Sequence, residues 1–351
     1  MKAWENNIRK VVPYTPGEQP NQPNMIKLNT NENPYPPAPG VKAVLERMDT
    51  DALRLYPDPT CGVLVRAVAE YYNLQEEQVF TGVGSDDVLA MSFMTFFNSE
   101  KPILFPDITY SFYDVWADLF RIPYERPLLD EKFHIRKEDY FRENGGIVIA
   151  NPNAPTGVEM DLSELEEIIA KNQDVIVIVD EAYVDFGGTS VIPLIDKYEN
   201  LLVVQTFSKS RSLAGMRIGA AFGNPVLIKY LNDVKYSFNS YTMDRTALAA
   251  GVEAVKDVEY FNETCSKIIA TREWTKKELA ALGFSFEDSK TNFIFAEHER
   301  VPAAELFQAL REKHIYVRYF PKGRTQNHLR ITIGTQKEME TFVGFLKEYL
   351  A

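Results

Sequence analysis

Residues 175–183 read Val175-Ile-Val-Ile-Val-Asp-Glu-Ala-Tyr183. The unbroken run of Val and Ile predicts a strand that is buried on both faces, as in a parallel sheet. An acidic residue and a tyrosine follow directly, at the carboxyl end of that strand. Open α/β sheets bind their ligands just beyond such ends. The stretch therefore predicts both the type of sheet and the edge at which a functional site lies.

Other apolar runs of the same kind extend this sheet, and helical stretches separate them. The further predicted strands are Pro102–Phe105, Ile147–Ala150, Leu201–Gln205 and Ile218–Phe222. Among the helical stretches, Asp161-Leu-Ser-Glu164 resembles a capping box and precedes apolar residues that share one helical face. Alternation of strand and helix predicts an α/β fold, with a large domain of mostly parallel sheet flanked by helices at residues 48–245.

The two ends of the chain differ from this pattern. Residues 1–47 begin with a proline-rich segment, which is predicted to be an extended arm together with part of a smaller domain. Residues 246–351 predict a small α+β domain. Its elements are a long helical stretch at about 246–282, strands at Asn292–Phe295 and Arg330–Ile333, and helices at Val301–Arg311 and Lys337–Leu350.

Composition limits the class of protein and its setting. Lys and Arg number 38 against 50 Asp and Glu, giving a formal charge of −12, which disfavours non-specific binding to nucleic acid or anionic membranes. No apolar run approaches the roughly 20 residues that span a bilayer, and the first residues lack the apolar core of a signal peptide. Two cysteines favour a reducing, cytoplasmic setting, and neither they nor the four histidines have metal-ligand spacing, so no metal site is expected.

Reactive side chains follow three successive strands. Asn151-Pro-Asn-Ala-Pro-Thr-Gly157 follows the first, Asp180-Glu-Ala-Tyr183 the second and Thr206-Phe-Ser-Lys209 the third. Earlier, Thr81-Gly-Val-Gly-Ser-Asp86 opens a predicted helix at about 86–97, and a glycine-rich turn at a helix N-terminus suits a phosphate. Pyridoxal 5′-phosphate offers a phosphate, an aldehyde for a lysine and a basic ring nitrogen for a carboxylate, so it matches all these groups.

The segment Thr206-Phe-Ser-Lys-Ser-Arg-Ser-Leu-Ala-Gly-Met-Arg217-Ile-Gly219 resembles the lysine segment of fold-type I aminotransferases. The Lys209-to-Arg217 spacing, Asp180-x-x-Tyr183 and Pro155-Thr-Gly157 match as well. Leu28-Asn-Thr-Asn-Glu-Asn-Pro-Tyr35, Tyr56-Pro-Asp58 and Leu329-Arg-Ile-Thr-Ile-Gly334 narrow the resemblance to the histidinol-phosphate aminotransferase group, over nearly the whole chain.

The resemblance implies a set of cofactor contacts. Lys209 would hold pyridoxal 5′-phosphate as a Schiff base and then act as general base and acid. Asp180 would pair with the pyridine nitrogen, and Tyr183 would bind the phenolic oxygen. The phosphate would be held by Gly84, Ser85, Asp86, Thr206, Ser208 and Arg217. Tyr110 would stack on the ring, and Tyr56 would reach the cofactor phosphate of a neighbouring subunit in a homodimer.

One position departs from the family pattern. In many relatives an asparagine that binds the phenolic oxygen stands directly before Pro-Thr-Gly, whereas this chain has Ala154 there. Asn153 after a small backbone shift, Tyr183 alone or Asn151 could hold that oxygen instead. Asn153 is the predicted substitute.

The resemblance also implies how substrates bind. Arg330 occupies the position that binds a substrate carboxylate, and the same arginine could take the phosphate of histidinol phosphate or a carboxylate of glutamate. Arg318 matches a second arginine near the anionic end of the substrate. Tyr14 resembles an arm tyrosine that reaches across the dimer, and Asn33 lies where the chain passes close to the substrate.

The implied reaction is transamination between L-histidinol phosphate and 2-oxoglutarate, in histidine biosynthesis. Two other enzymes fit the same scaffold, an aromatic amino-acid aminotransferase and a threonine-phosphate decarboxylase. A non-enzymatic alternative is the ligand-sensing part of a transcription regulator. That alternative requires an attached DNA-binding domain, for which 351 residues filled by the catalytic fold leave no room.

Overall fold

The computed structural model describes residues 2–351. Within that range the chain forms twelve strands: β1 (Ile26–Leu28), β2 (Val79–Gly82), β3 (Ile103–Leu104), β4 (Tyr124–Glu125), β5 (Gly146–Ala150), β6 (Val177–Asp180), β7 (Leu201–Thr206), β8 (Gly219–Gly223), β9 (Phe284–Phe286), β10 (Phe293–His298), β11 (Ile315–Tyr319) and β12 (Leu329–Thr332). Its ten α-helices are α1 (Pro39–Glu46), α2 (Gly62–Tyr72), α3 (Gly84–Phe96), α4 (Phe112–Phe120), α5 (Leu162–Lys171), α6 (Pro225–Phe238), α7 (Arg245–Lys256), α8 (Val258–Ala281), α9 (Ala303–Glu312) and α10 (Gln336–Leu350).

Seven strands form the larger sheet, in the order β2-β8-β7-β6-β5-β3-β4. The five strands from β7 to β4 are parallel, whereas β8 is antiparallel to both of its neighbours. Every residue of β5, β6, β7 and β8 is buried, because helices cover both faces. Alternate strand residues enter two separate hydrophobic cores, one shared with α2, α5 and α7 and the other with α3, α4 and α6. The predicted α/β fold is confirmed.

The register of this sheet brings the predicted strand ends together. Ala150 pairs with Asp180, and Asp180 pairs with Val204. Because β5, β6 and β7 are parallel, the segments that follow them emerge side by side at the same edge. The asparagine loop, the Asp-x-x-Tyr segment and the lysine segment are therefore neighbours.

The smaller sheet has the order β1-β11-β12-β10-β9. Its first strand comes from the N-terminal part of the chain and runs parallel to β11, whereas the other pairs are antiparallel. Its core includes residues of α8, α9 and α10. This arrangement places part of residues 1–47 on the same sheet as the C-terminal strands.

The long helical stretch predicted at about 246–282 is two helices. The chain breaks at Asp257, whose carboxylate accepts a hydrogen bond from the backbone N–H of Tyr260 at 3.1 Å and so caps α8. The preceding helix, α7, packs into a core of the larger sheet. The change from the core of the larger sheet to the core of the smaller sheet therefore falls nearer Asp257 than residue 246. At α5, Asp161 stands at the N-cap but makes no side-chain capping bond, so the sequence resemblance to a capping box is wrong.

Within residues 2–351 no helix is long and apolar enough to cross a membrane.

Candidate active site

A cavity of about 590 Å³ lies at the carboxyl ends of β5, β6 and β7 and extends to the smaller sheet. This volume is typical of a small-molecule site. Twelve of the sequence-predicted site residues line it: Tyr14, Ser85, Asp86, Tyr110, Asp180, Tyr183, Thr206, Ser208, Lys209, Arg217, Arg318 and Arg330. The structure therefore assembles most of the predicted site from segments that are far apart in sequence.

Lys209 lines this cavity. Its Nζ donates a hydrogen bond to the Thr30 carbonyl at 3.3 Å and lies 5.9 Å from the centre of the Tyr183 ring. Burial, and secondly the positive charge of Arg330, lower the pKa of Lys209 to about 8. A lysine with such a pKa has a substantial neutral fraction near neutral pH, as a nucleophile or general base requires.

Asp180 ends β6 and is only 4% exposed. Its Oδ2 accepts a hydrogen bond from the Tyr113 hydroxyl at 2.7 Å, and its Oδ1 accepts one from the Ala182 N–H at 3.2 Å. Burial raises the pKa of Asp180 to about 6, although both hydrogen bonds oppose the rise. The carboxylate is therefore mostly ionised at neutral pH and stabilises a positive charge placed against it.

Tyr183 is held by a side chain from the N-terminal part of the chain. Asn31 Nδ2 donates to the Tyr183 hydroxyl oxygen at 2.8 Å. Asn31 is itself fixed, because its Oδ1 accepts a hydrogen bond from Thr332 Oγ1 at 2.9 Å. Since the hydroxyl oxygen already accepts from Asn31, its own proton is directed to another acceptor. Tyr183 is thus arranged as a donor to an oxygen in the cavity.

The first turn of α3 forms an anion cradle. No side chain caps this end of the helix, and Ser85 lies in the turn and lines the cavity. A Cβ on Gly219 would lie 2.4 Å from the Ser85 nitrogen, and a Cβ on Gly84 would lie 2.6 Å from Arg217 Nη2. Glycine at these two positions therefore allows β8 and the Arg217 guanidinium to approach the helix end closely. Free N–H groups, a positive helix end and a guanidinium together suit a phosphate.

The two arginines of the smaller sheet face the cavity as a pair. Arg318 on β11 and Arg330 on β12 occupy opposing register positions. Arg330 donates to the Asn29 carbonyl at 3.1 Å, and its Nε is buried without a partner. Burial and the neighbouring charge of Arg318 lower the pKa of Arg330. An unpaired buried donor beside a second positive charge is a binding site for an anion.

Some predicted residues lie outside the cavity or have other contacts. Asn33 does not line the cavity. It donates hydrogen bonds to the backbone carbonyls of Lys209 and Ser210, at 3.0 and 3.1 Å, and so holds the backbone of the lysine segment in place. Tyr14 lines the cavity of its own chain and is stacked on Phe112 at 4.2 Å; its predicted contact across a dimer stays a prediction. Tyr56 is 77% exposed and does not reach this cavity.

Asn153, the predicted substitute at the Ala154 position, is directed into its own loop. Its amide nitrogen donates to the Ile108 carbonyl at 2.9 Å and to Thr156 at 3.0 Å, and its oxygen accepts from Thr109 at 2.8 Å. The structure thus does not bring Asn153 to the cavity. Of the residues predicted to hold the phenolic oxygen, Tyr183 is the one that lines the cavity, whereas Asn151 and Asn153 do not.

Comparisons with known proteins agree with this geometry. The family model for aminotransferases of class I and II matches residues 23–346. The histidinol-phosphate aminotransferase of Lactococcus lactis subsp. cremoris (strain MG1363) is 56% identical over 348 residues, covering 99% of this chain and 98% of the relative. The protein of the same name from Clostridium botulinum (strain Langeland) is 52% identical over 349 residues, covering 99% of both.

The chain belongs to the histidinol-phosphate aminotransferase family, within class I and II aminotransferases.

Among solved structures, a histidinol-phosphate aminotransferase from Sinorhizobium meliloti in complex with pyridoxal 5′-phosphate superposes with a TM-score of 0.84. It is 21% identical and covers 93% of this chain, with 90% of its own length matched. That likeness shows the fold-type I architecture shared by this aminotransferase family.

Two functional contacts of this family member were missed by the sequence prediction. Tyr113 was unassigned, although it lies only three residues after Tyr110, in the first turn of α4, and its ring contacts that of Tyr110 at 5.7 Å. Asn31 was part of the quoted Leu28–Tyr35 motif, but a motif does not show which side chain faces Tyr183. Both contacts depend on segments that meet only in the folded chain.

Proposed function

We propose that this aminotransferase transfers the amino group between L-histidinol phosphate and 2-oxoglutarate, a step of histidine biosynthesis. The observation that carries the proposal is the pair of arginines at one end of the cavity that holds Lys209, with a buried unpaired donor on Arg330. Histidinol phosphate offers a phosphate to this pair, and glutamate offers a carboxylate. One site of this kind serves both half-reactions.

The cofactor is pyridoxal 5′-phosphate, and the residues present fit it. Ser85, Thr206, Ser208 and Arg217 would hold the phosphate at the uncapped end of α3. Asp180 is placed to hold a protonated ring nitrogen. Bound pyridoxal 5′-phosphate supplies an aldehyde that takes up an amine and a cationic ring that withdraws electrons from it.

Lys209 performs the proton transfers. Its Nζ would hold the cofactor covalently in the resting protein. When a substrate amine takes that place, the free Nζ of Lys209 would accept the proton from the amine-bearing carbon of the substrate as a base and give it back as an acid. Its pKa of about 8 suits a group that must act as both base and acid near neutral pH.

Other residues orient the reacting groups. The Asp180 carboxylate would stabilise the positive ring nitrogen, and the Tyr113 hydroxyl fixes that carboxylate. Tyr183 would donate a hydrogen bond to the phenolic oxygen, because its hydroxyl oxygen already accepts one from Asn31. The Tyr110 ring is placed to stack on the cofactor ring.

We also propose a cytoplasmic homodimer, in which Tyr56 contacts the cofactor phosphate of the partner. Tyr56 lies with Leu53 and Leu55 in one exposed apolar segment, and it stacks on Tyr241 at 4.6 Å. Arg245 donates to the Tyr56 carbonyl at 2.7 Å and so fixes this segment. An exposed, ordered apolar patch of this kind supports a subunit interface.

The deciding experiment is the half-reaction with single amino donors. The purified protein with its cofactor is mixed separately with L-histidinol phosphate, L-phenylalanine and L-threonine phosphate, and the absorbance of the bound cofactor is followed. We expect conversion to the pyridoxamine form with histidinol phosphate at a rate far above that with phenylalanine. The Lys209→Ala protein serves as the control and should show no turnover.

Each other result assigns a different reaction. Preference for phenylalanine would make the protein an aromatic amino-acid aminotransferase, with Arg330 binding a carboxylate only. Carbon dioxide released from threonine phosphate would identify a decarboxylase. Retained turnover in Lys209→Ala would overturn the assignment of the reacting lysine.

A further inference from the structure

The carboxylate of Asp86 binds two other cofactor-site residues. Its Oδ1 accepts a hydrogen bond from the Tyr110 hydroxyl at 2.8 Å, and its Oδ2 accepts one from Arg217 Nη2 at 3.1 Å. The side chains of Asp86 and Arg217 are 40% and 43% exposed and both line the cavity. The guanidinium that suits a phosphate is therefore already engaged by an anion of the protein.

The Asp86 carboxylate is not used to cap its own helix. The next residue does not cap it either: Asp87 Oδ2 accepts a hydrogen bond at 3.0 Å from the N–H of Val83, the residue that precedes α3. The N–H groups of the first turn of α3 thus stay available, while the Asp86 carboxylate binds the Arg217 guanidinium, which lies close to the same turn. Two neighbouring carboxylates on one helix turn have different partners.

We propose that the Asp86 carboxylate is an internal competitor of the phosphate monoester of the cofactor for Arg217. It fixes the guanidinium over the end of α3 before the phosphate arrives, and it must share or release that guanidinium when the phosphate binds. The carboxylate therefore lowers phosphate affinity while it keeps Arg217 and Tyr110 in place. This inference rests on the proposed position of the cofactor phosphate at α3.

The charge of Asp86 also reaches the reacting groups. Beside the larger effect of burial, it contributes to the raised pKa values of Asp180 and Tyr183. At Lys209 it opposes the lowering of the pKa that burial causes. A phosphate bound near Asp86 would therefore add its negative charge to that of a carboxylate that already acts on Asp180, Tyr183 and Lys209.

The test compares ligands with and without a phosphate. Full-length protein freed of cofactor is titrated with inorganic phosphate, with pyridoxal 5′-phosphate and with pyridoxal, which lacks the phosphate. We expect Asp86→Asn to bind inorganic phosphate and pyridoxal 5′-phosphate about 1.5- to fivefold more tightly, the size of a partly exposed ion pair. Affinity for pyridoxal, which Asp86 can influence only through Tyr110 and the charges at Asp180 and Lys209, should not tighten with them. Asp86→Ser also removes the charge and should give the same direction.

Two control variants separate the explanations. Asp87→Asn removes a carboxylate from the same turn without touching Arg217, so it should not tighten phosphate binding. If Asp87→Asn tightened phosphate binding as much as Asp86→Asn does, the cause would be a general loss of negative charge. That result would overturn the proposal that Asp86 competes with the phosphate for Arg217. Unchanged or weaker phosphate binding in Asp86→Asn would likewise overturn it. Arg217→Met should weaken binding of both phosphate ligands, and failure of that result would instead reject the proposed phosphate position.

Discussion

Arg318 and Arg330 lie directly opposite each other on the antiparallel strands β11 and β12. Like charges in opposing positions of such a pair destabilise the sheet. The cost is increased because Arg330 is buried and its Nε has no partner. An anion between the two guanidinium groups would relieve both costs, which supports the proposal that this end of the cavity binds either a phosphate or a carboxylate.

Arg330→Lys keeps a positive charge but removes the fork that binds two oxygens of one anion. We expect kcat/KM to fall about 10- to 100-fold with both histidinol phosphate and glutamate, since a hydrogen bond to a charged group contributes roughly 1.5–3 kcal/mol. Steady-state kinetics with each donor measure the change. Arg300→Lys, at an exposed position outside the cavity, is the matched control. A loss confined to one donor would show that another group binds the other anion.

Lys209 should react with an aldehyde only in its neutral form. The rate at which cofactor-free protein takes up pyridoxal 5′-phosphate should therefore rise with pH and level off above about 8, the lowered pKa of Lys209. Since the charge of Arg330 contributes to this lowering, Arg330→Met should move the midpoint to higher pH. Stopped-flow absorbance measures the profile. A midpoint near 10.5, the ordinary lysine value, would contradict the burial of this amine.

Tyr113→Phe tests the support of Asp180. Removing the hydroxyl removes a hydrogen bond that lowers the pKa of Asp180, so this pKa should rise above about 6. Because Asp180 must be ionised to hold the ring nitrogen, the acid limb of the kcat profile should move to higher pH. We expect kcat at neutral pH to fall about tenfold with little change in KM, since Tyr113 does not line the cavity.

Tyr140→Phe is the control for this substitution. Tyr140 is equally buried, but its hydroxyl has no hydrogen-bond partner. Its removal should leave kcat and the pH profile unchanged. An equal effect of both substitutions would mean that loss of a buried hydroxyl disturbs packing rather than Asp180.

The reacting residues could be predicted from the sequence because each directly follows a buried strand. Asp180 and Lys209 stand at the ends of β6 and β7 or just beyond them, and parallel strands bring such ends to one edge. An apolar run followed by a reactive residue therefore predicted both the strand and the place of that residue at the edge of the sheet. The family resemblance then supplied the chemical roles.

The supporting contacts could not be predicted in this way. Asn31 reaches Tyr183 from a segment 152 residues earlier, and it adopts a left-handed backbone with φ of 57° that local sequence does not specify. Asn153 was the predicted partner of the cofactor oxygen, but a loop geometry that uses all its polar atoms directs it away. Such outcomes depend on which hydrogen bonds the folded loop leaves unsatisfied.

The shared site of the proposed dimer gives the last prediction. Tyr56 is 77% exposed and does not line the cavity of its own chain, so the proposed contact would be made with the cofactor of another subunit. Lys209→Ala should be inactive, and Tyr56→Ala should bind cofactor about tenfold more weakly. When the two variants are co-expressed with different tags, the mixed dimer contains one site with an intact lysine and an intact partner tyrosine. With statistical mixing half of the dimers are mixed, and each of these has one complete site out of two. About a quarter of the normal activity should therefore be restored.

A within-chain role for Tyr56 makes the opposite prediction. In that case the only intact lysine of the mixed dimer would stay on the chain that lacks Tyr56, and activity would not exceed that of Tyr56→Ala alone. Leu128→Ala, which changes another exposed apolar residue outside the cavity, provides the matched control when co-expressed with Lys209→Ala. Its mixture should show half of the normal sites active, because only the lysine is missing. Recovery of activity when Tyr56→Ala and Lys209→Ala are co-expressed would therefore mean that each subunit supplies Tyr56 to the site of its partner. Lack of recovery would reject the shared site.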